Sequence, residues 1–563
     1  MQEQALFHKP ETQYSYAVSE NQVALRLRTA KEDTPLVSVL YGGKYDFAQT
    51  RCSVPMSLTN TDRLYNYYTA MLTLTDVRLV YVFVLEEDGK TYYYSEDGLS
   101  AEYSFELSYY NAFQIAYINR ADLHEVVKWM QSARFYQIFI DRFARGNFTK
   151  DDSYINLAWG ALPSPKSFAG GDLAGIAQKL GYLKELGVNA LYLTPVFRSV
   201  SNHKYDICDY FTVDEMFGGE EDFARLVKRA HEEGIKIVLD AVFNHVSEKC
   251  VQFQDVLKRG NKSRYFHWFI IDGEKIDRKK VNYRCFASCE YMPKWDTSEK
   301  EVQEYLIGVA LYWMKKYGID GWRLDVSDEV SHDFWRKFRA AVKGQNTECV
   351  IIGENWHDAN AYLHGDQYDS IMNYAFTKAC LDVFAFEKLN AKGFAEKLNE
   401  LLMRNTDTVN SMMLNLLDSH DTHRFLTQVQ GDTQKLACAL AILYMFVGAP
   451  CICYGTEIGM EGGYDPDCRR TMDWQKAEER AGVWRLVHTL ARFKETEPAL
   501  HGTSVRIWAE GDVFYLERGE KEKLRLIVNF GGKPISLPAD AICTNGAQVL
   551  SKNTFAIVRG KTE

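Results

Sequence analysis

Residues 301–325 read EVQEYLIGVALYWMKKYGIDGWRLD, and this stretch decides the fold class. Its first part, 301–317, has the apolar spacing of a helix, and Gly318 is the residue type that commonly ends one. The segment 321–325 that follows is short and mostly apolar, as a buried strand is. A helix leading directly into a strand is the repeating unit of a parallel sheet, so the stretch predicts an α/β domain.

The same unit recurs on both sides, from about residue 134 to about residue 500. Strands are predicted at 135–139, 190–193, 237–239, 321–325, 350–352, 371–372, 412–416 and 451–453. Helices at 172–186 and 220–233 separate the first three strands. Eight such strands fit a (β/α)8 TIM barrel with an inserted domain at about 246–300, after strand three. A doubly wound open sheet also alternates strands and helices, but eight units exceed its common size.

The segments that flank the barrel have a strand rhythm instead. Val23, Leu25 and Leu27 recur at every second position, as in a half-buried strand. Asp88-Gly89 lies between two β-rich runs and predicts a hairpin turn. We therefore expect three parts: an N-terminal β-sandwich over 1–121, the barrel over 122–502, and a C-terminal antiparallel β domain over 503–563.

Composition narrows the classes of function. The net charge is −10 and no block of Lys or Arg stands out, which disfavours a nucleic-acid partner. The longest apolar stretch, 436–447, is too short to span a bilayer, and the first residues lack the features of a secretory signal. Twelve scattered cysteines without metal spacing fit reduced thiols better than disulfides. These features predict a cytoplasmic protein without a membrane segment.

Polar side chains follow four predicted strands at their C-terminal ends. They are Asp240, Asn244 and His245 after strand three, Arg323 and Asp325 after strand four, Glu354 and Trp356 after strand five, and Asp418, His420 and Asp421 after strand seven. The C-terminal ends of barrel strands meet at one mouth, where catalytic residues gather. A single acid or histidine there is more often structural, but four such motifs in order favour an active site.

The spacing of two of these residues bears on their protonation. Arg323 and Asp325 are two positions apart and share a strand face, so the arginine should lower the pKa of Asp325 and keep it ionised. Glu354 has no cation adjacent in sequence and is the better candidate for a protonated acid. Carboxyls in opposite protonation states are the usual acid and nucleophile pair. We expect Asp240 to anchor Arg323 in an ion pair.

The segments 240–245, 321–325, 353–356 and 417–421 resemble the four signature regions of the α-amylase family of glycoside hydrolases. The tetrapeptide MPKW at 292–295 is similar to a signature of its neopullulanase, cyclomaltodextrinase and maltogenic amylase group, which also carries an N-terminal β domain. The resemblance covers essentially the whole chain. It implies a retaining α-glucan hydrolase that cleaves α-1,4 bonds in maltooligosaccharides, cyclodextrins, pullulan or starch without a cofactor.

The resemblance also implies a role for each candidate site residue. Asp325 resembles the nucleophile, Glu354 the general acid/base, and Asp421 the carboxylate that stabilises the transition state. The residues that resemble sugar-binding positions are His203, Tyr205, His245, Arg323, Trp356, His420, Asp465 and Arg469. Tyr205 matches a tyrosine that stacks under the sugar at the cleaved bond, and Trp356 matches an acceptor-side platform.

Departures from the family pattern leave two points open. The group often reads Val-Ala-Asn-Glu where this chain has VSDE at 326–329, and Asn355 replaces a commonly apolar residue, so the balance of hydrolysis and sugar transfer stays open. Some members bind calcium through an Asn/Asp-rich loop after strand one. The segment 144–152 carries Arg145 and Lys150 among those positions, and cations repel Ca²⁺, so no metal site is predicted.

Alternatives and partners complete the expectations. A non-catalytic glucan-binding protein on the same barrel is disfavoured because all three carboxylates are present. A transglycosylase or an α-1,6-acting enzyme is a rival within the family. The resemblance implies a homodimer in which the N-terminal domain leans over the partner's barrel mouth. Part of its aromatic set is expected to form an exposed patch: Tyr65, Tyr67, Tyr68, Tyr81, Phe83, Tyr92, Tyr93 and Tyr94.

Overall fold

The computed structural model describes residues 1–560, and its first part is built from two antiparallel sheets. The strands are β1 (Ser15–Ser19), β2 (Gln22–Ala30), β3 (Leu36–Gly42), β4 (Cys52–Pro55), β5 (Ser57–Thr61), β6 (Tyr65–Thr73), β7 (Leu79–Glu87), β8 (Lys90–Ser95), β9 (Gly98–Ser100) and β10 (Phe113–Ile115), with the short helix α1 (Phe47–Thr50). One sheet has the order β1-β2-β6-β5 and the other β4-β3-β7-β8-β9, with β10 beside β7.

The core of this domain lies between the two sheets. Val23, Leu25 and Leu27 of β2 are buried there against apolar side chains of β3 and β7, as their alternation predicted. Asp88 and Gly89 join β7 to β8 with φ values of 51° and 73°, which is the left-handed pair that a tight hairpin requires. The sandwich predicted from the sequence is confirmed.

Eight parallel strands form the second part. Between residues 135 and 496 the elements are β11 (Phe135–Ile138), α2 (Ile140–Phe143), α3 (Leu173–Leu186), β12 (Ala190–Leu193), β13 (Phe197–Ser199), β14 (Ile207–Val213), α4 (Gly219–Glu232), β15 (Lys236–Ala241), α5 (Val251–Arg259), α6 (Lys300–Tyr317), β16 (Gly321–Leu324), α7 (His332–Gln345), β17 (Val350–Gly353), β18 (Ser370–Ile371), α8 (Tyr374–Phe384), α9 (Ala391–Met403), α10 (Asp407–Met412), β19 (Leu414–Leu416), α11 (Phe425–Gln428), α12 (Thr433–Met445), β20 (Ala449–Cys453), α13 (Trp474–Glu478) and α14 (Val483–Thr496).

The ring of strands runs β18-β17-β16-β15-β12-β11-β20-β19, and a single parallel bridge between Met372 and Leu414 joins its two ends. The helices lie outside because each turns an apolar face to the barrel; α6, for example, buries Leu306, Val309 and Trp313. The barrel is therefore confirmed, and its strands bring their C-terminal ends to one mouth.

The remaining elements flank this mouth or the barrel side. Residues 246–300, after β15, contain α5 and short bridges rather than a sheet. The C-terminal strands are β21 (Val505–Glu510), β22 (Val513–Arg518), β23 (Lys523–Asn529), β24 (Ile535–Ser536), β25 (Ala541–Thr544), β26 (Val549–Leu550) and β27 (Thr554–Gly560). Five of them form an antiparallel sheet, β21-β22-β23-β27-β25. No helix within residues 1–560 is long and apolar enough to cross a membrane.

The segment 122–132 connects the N-terminal domain to the barrel. Its apolar residues have helical spacing, but residues 120–122 and 128–132 form only short 3₁₀ turns. Val127 and Met130 are buried under the barrel floor, so their spacing reflects two anchor points on the floor rather than a continuous helix face.

A buried arginine fixes the N-terminal domain to the barrel. Arg26 of β2 donates to the carbonyl of Asn405 at 2.7 Å and pairs with Asp407 at the start of α10. Asn60 donates to the side chain of Asn399 at 2.9 Å. These contacts are side-chain specific, so the orientation of the two parts is set by hydrogen bonds rather than by apolar packing alone.

Candidate active site

Neighbouring strands place the central residues of the site side by side. Asp240 of β15 is in register with Arg323 of β16, and Leu324 is in register with Gly353 of β17. One step further along, Asp325 and Glu354 leave adjacent strands at the same height. Short strands ending on one level thus concentrate charged side chains that are far apart in sequence.

Arg323 holds three carboxylates at once. Its Nη1 lies 3.0 Å from both oxygens of Asp240 and 2.8 Å from Oδ1 of Asp325, and its Nη2 lies 2.9 Å from Oε1 of Glu354. The ion pair expected between Asp240 and Arg323 is confirmed. Glu354 has no cation adjacent in sequence, but Arg323 of the adjacent strand supplies one in the folded chain.

The pKa values follow from this sharing. Burial raises the pKa of Asp325 well above its ordinary range, although Arg323 acts in the opposite direction. Burial also raises the pKa of Glu354, again against the effect of Arg323. Arg323 thus acts in the predicted direction, but the low pKa predicted for Asp325 is wrong, since one guanidinium divided among three buried carboxylates does not offset the loss of water. Burial thus favours the protonated forms of these two carboxyls over those of a lone Asp or Glu in water.

The two carboxyls differ in their remaining contacts. Oδ2 of Asp325 is buried and accepts no hydrogen bond from any side chain or backbone group of residues 1–560. Oε2 of Glu354 accepts from the backbone N–H of Val326 at 2.9 Å. Val326 has φ 45°, which is strained for a β-branched residue, and this conformation aims its N–H at Glu354. Asp325 thus has an oxygen free to react, whereas Glu354 is held.

A chain of hydrogen bonds fixes Tyr205 and His420. Gln137 of β11 donates to Nδ1 of His420 at 2.7 Å, which places the ring proton on Nε2. His420 Nε2 lies 2.7 Å from the hydroxyl of Tyr205, which in turn donates to Asp240 at 2.9 Å. The two rings are parallel, with centroids 5.6 Å apart. Burial lowers the pKa of His420 to about 3, so the ring is neutral.

The loop that carries Tyr205 also presents His203. Nδ1 of His203 accepts the backbone N–H of Tyr205 at 3.1 Å, and the two rings stack with centroids 5.9 Å apart. Burial lowers the pKa of His203 to about 4. Both histidines of this wall therefore act as neutral hydrogen-bonding groups at neutral pH.

Asp421 shares a second arginine, Arg469, with Asp465. Nη2 of Arg469 lies 3.0 Å from Oδ1 of Asp421, Nη1 lies 3.0 Å from Asp465, and Nε donates to the carbonyl of His420 at 2.7 Å. Burial would raise the pKa of Asp421, but its contacts with His420 and Arg469 hold that pKa below the ordinary value. Asp421 is therefore ionised where Asp325 and Glu354 resist ionisation.

Aromatic side chains line the opposite walls of the mouth. His245, whose Nε2 is buried without a partner in residues 1–560, stacks on Phe286 of the inserted segment with centroids 4.7 Å apart. Trp356 is 44 % exposed and stacks on Tyr374 with centroids 3.7 Å apart. Flat, partly exposed rings of this kind suit the C–H faces of sugars.

Several residues of the site were not found from the sequence. Phe286, Tyr192, Gln137 and Tyr374 contact the candidate site residues, but none lies in the strand-end motifs. Tyr192 and Gln137 stand on barrel strands and point inward, so a search of inward-facing polar positions would have found them. Phe286 comes from an irregular insertion and carries no such signal.

The comparisons with known proteins agree over nearly the whole length. Residues 137–495 match the model "Alpha amylase, catalytic domain" and residues 1–119 match "Alpha amylase, N-terminal ig-like domain". A cyclomaltodextrinase of Thermoanaerobacter pseudethanolicus is 42% identical over 531 residues, 94% of this chain and 92% of that protein. Neopullulanase 2 of Thermoactinomyces vulgaris is 42% identical over 510 residues, 90% and 86% of the two chains. A solved cyclomaltodextrinase structure gives a TM-score of 0.91 at 35% identity, covering 100% of this chain and 98% of that one.

These matches confirm the family resemblance and the enzyme class expected from the motifs. The matched catalytic domain contains Asp325, Glu354 and Asp421, and the named relatives are enzymes, which rules out the non-catalytic binding protein. The chain belongs to the α-amylase family of glycoside hydrolases.

Proposed function

We propose that this glycoside hydrolase cleaves α-1,4-glucosidic bonds in cyclodextrins, maltooligosaccharides, pullulan or starch with retention of configuration. The observation that carries the proposal is the cluster around Arg323, in which Asp325 keeps one free oxygen and burial raises the pKa of Glu354. The named activities of the relatives support the substrate class.

The residues divide the reaction into two steps. Glu354 protonates the glycosidic oxygen while Oδ2 of Asp325 attacks the anomeric carbon, and the leaving sugar departs as an alcohol. Glu354, now ionised, takes a proton from water or from a sugar hydroxyl, and that oxygen displaces Asp325. Asp421, ionised beside Arg469, holds sugar hydroxyls and stabilises the positive charge of the transition state.

Positions around the carboxylates supply sugar contacts. Tyr205 and His420 form the wall beneath the sugar at the cleaved bond, and His203, His245 and Arg323 offer hydrogen bonds to its hydroxyls. Asp465 and Arg469 bind more distant sugars on the non-reducing side. On the acceptor side, a groove of about 450 Å³ is lined by Trp356, Tyr374, His423 and Tyr464, among others. An accepted sugar stacked on Trp356 competes with water, so this groove governs the share of transfer products.

The substrate class is tested with cyclodextrin, pullulan and soluble starch as separate substrates. Chromatography should show short maltooligosaccharides from at least one of them, with longer transfer products at high sugar concentration. Absence of cleavage of all three would contradict the proposal. Release of only α-1,6-linked branches would favour the rival α-1,6-acting enzyme.

We also propose the division into domains at 1–121, 122–502 and 503–563, and a homodimer in which the first domain contacts the partner. The aromatic patch expected on this domain is not where the sequence placed it. Tyr67, Tyr68, Tyr81 and Phe83 are buried, and Tyr65, Tyr92, Tyr93 and Tyr94 are half-buried. The most exposed rings of this domain are instead Tyr45, Tyr109 and Tyr110, which are 79 %, 69 % and 75 % exposed.

These rings share one edge of the domain. Phe47 of α1, next to Tyr45, packs against Phe105 with centroids 6.1 Å apart, and residues 105–110 carry Tyr109 and Tyr110. Exposed aromatic groups of this density mark a partner surface. Sedimentation should give a mass near twice 64.8 kDa, and Tyr109→Ser/Tyr110→Ser should give monomers. The control Phe386→Ser, on an exposed barrel ring, should stay dimeric; a monomeric wild type at micromolar concentration would contradict the dimer.

A cytoplasmic location is the last part of the proposal. All twelve cysteines are free thiols, and most are buried, which suits a reducing compartment. Fractionation of the producing cells should place the activity with cytoplasmic markers. Recovery of the activity in the culture medium of intact cells would contradict this.

A further inference from the structure

A lysine ammonium lies in a nest of oxygen atoms beside the first barrel strand. Lys150, whose side chain is 5 % exposed, places Nζ 3.0 Å from the carbonyl of Gly170, 2.7 Å from the carbonyl of Met216 and 2.9 Å from Oδ2 of Asp172. An ammonium has three N–H groups, and three oxygen atoms accept them here. Every donor of this buried cation is therefore used.

The carboxylate of this nest is itself fully engaged. Oδ1 of Asp172 accepts the backbone N–H groups of Gly146 at 2.9 Å and Gly175 at 2.7 Å, and Oδ2 accepts that of Asn147 at 3.1 Å. Asp172 is completely buried at the start of α3. Burial lowers the pKa of Lys150 and Asp172 opposes that effect, which is the behaviour of a desolvated ion pair.

One carboxylate and two backbone carbonyls are the oxygen donors that calcium prefers. The segment 144–152 is where the family resemblance would place a calcium site, but in this chain the ammonium of Lys150 lies where the oxygens converge. The residues present therefore do not fit a calcium ion in this position. We infer that Lys150 is a built-in cation that takes the place of a bound metal ion and makes the folded enzyme independent of divalent metals.

The nest also bears on the sugar-binding wall. Met216, whose carbonyl accepts a hydrogen bond from Lys150, lies two residues after Asp214. Asp214 in turn pairs with Lys204 at 2.8 Å. Lys204 immediately precedes Tyr205. From the other side, Asn202 donates to the carbonyls of Pro165 and Ser167 at 3.0 and 2.7 Å. Lys150 thus joins the two segments, 144–172 and 214–218, that hold the His203–Tyr205 loop, and it is a positioning residue for that loop.

The test compares thermal unfolding of four proteins with excess EDTA and with added CaCl₂. The wild type should show the same Tm in both. Lys150→Ala, which removes the ammonium and leaves room for an ion and its water, should unfold about 5 °C lower in EDTA and regain stability with CaCl₂. Lys150→Met, which fills the space with an apolar chain, should have a lower Tm than the wild type in both conditions. Lys166→Ala, an exposed lysine of the same segment, should match the wild type.

Activity gives a second readout. In EDTA, Lys150→Ala should raise KM for cyclodextrin about tenfold with a smaller change in kcat, because the loop carrying Tyr205 is loosened while the carboxylates stay in place. Loss of wild-type stability in EDTA would overturn the inference, and so would a Lys150→Ala protein as stable as the wild type. If CaCl₂ does not raise the Tm of Lys150→Ala, these oxygens are not a cation site. Should that variant fail to fold, the EDTA titration of the wild type still decides the metal dependence.

Discussion

The carboxyls on the two sides of the catalytic mouth have pKa values that are shifted in opposite directions. On one side, Asp325 and Glu354 share Arg323 with Asp240, and burial raises the pKa of both. On the other side, Asp421 has Arg469 at 3.0 Å, and its pKa lies below the ordinary value. Arg323 serves three buried carboxylates, whereas Arg469 serves two, Asp421 and Asp465, and Asp421 is 28 % exposed. The two sides therefore differ both in the share of cation per carboxylate and in access to water.

The pKa shifts of the two sides suit different roles. On the Arg323 side, burial favours the protonated form of Glu354, as the acid step requires. On the other side, contacts with His420 and Arg469 keep Asp421 negatively charged. Because the shared carboxyls titrate together, their pKa values belong to the cluster rather than to one residue. Glu354 is therefore suited to donate a proton in the first step and to accept one in the second.

The largest loss of activity should come from replacing Asp325, whose Oδ2 is the free oxygen of the cluster around Arg323. Asp325→Asn should lower kcat/KM by at least about 10³-fold, because the covalent route is lost. The matched control is Asp328→Asn, an exposed carboxyl three residues on, which should stay within about twofold. Near-normal turnover by Asp325→Asn on starch would remove this residue from the nucleophile role.

A comparable loss is expected for the acid, but it should depend on the substrate. Glu354→Gln should lower starch hydrolysis by about 10²–10⁴-fold, whereas an α-glycosyl fluoride, whose leaving group needs no proton, should lose far less in the glycosylation step. In the wild type, activity should fall as pH rises through the raised pKa of Glu354. Equal losses on both substrates would contradict the acid role.

Replacing Arg469, which pairs with Asp421, should lower activity by an intermediate amount. Arg469→Gln should lower kcat/KM about 10–100-fold and move the acid limb of the pH profile to higher pH, because Asp421 loses the cation that keeps its pKa low. The basic limb should stay in place, since Arg469 contacts neither Glu354 nor Asp325. A shift of the basic limb alone would show that the two halves are not separate.

The smallest effects concern stability, and their signs should differ. A carboxyl with a raised folded pKa loses stability as pH rises, so Asp325→Asn should raise Tm at pH 7 by about 1–3 °C. A carboxyl with a lowered folded pKa contributes stability above its unfolded pKa and loses it as pH falls through the folded value. Asp421→Asn should therefore lower Tm at pH 7 by a similar amount. If calorimetry shows Tm changes of the same sign for the two variants, the proposed difference between the two sides of the mouth is contradicted.

The barrel and the strand-end residues were predictable because each depends on local patterns. Helix ends at glycine, apolar four-residue strands and polar residues directly after them are all visible within about ten positions. The strand-end motif at 353–356 could thus be placed beside the motif at 321–325 from the sequence alone. The raised pKa of Glu354 agrees in direction with the sequence prediction, but the low pKa predicted for Asp325 does not hold. Arg323 is shared with Glu354, 31 positions later on the adjacent strand, and that sharing is not visible in a local pattern.

Contacts from irregular segments were also beyond local patterns. Phe286 stacks on His245 from an insertion without regular sheet, and Lys150 reaches the carbonyl of Met216, 66 positions later in the chain. Arg145 and Lys150 could be recognised as unfavourable for calcium, but not as a source of the cation itself. Which backbone carbonyls converge on a side chain is settled by loop conformation, and sequence periodicity carries no information about that.

The most direct test of the mechanism is the configuration of the first product released. With maltotriose or a cyclodextrin as substrate, NMR spectra recorded within the first minutes distinguish the two anomers before they interconvert. Two successive displacements by way of Asp325 predict the α anomer as the initial product, together with Asp325 and Glu354 carboxyls about 5–5.5 Å apart. Initial release of the β anomer would mean a single displacement by water and would contradict the roles given to Asp325 and Glu354.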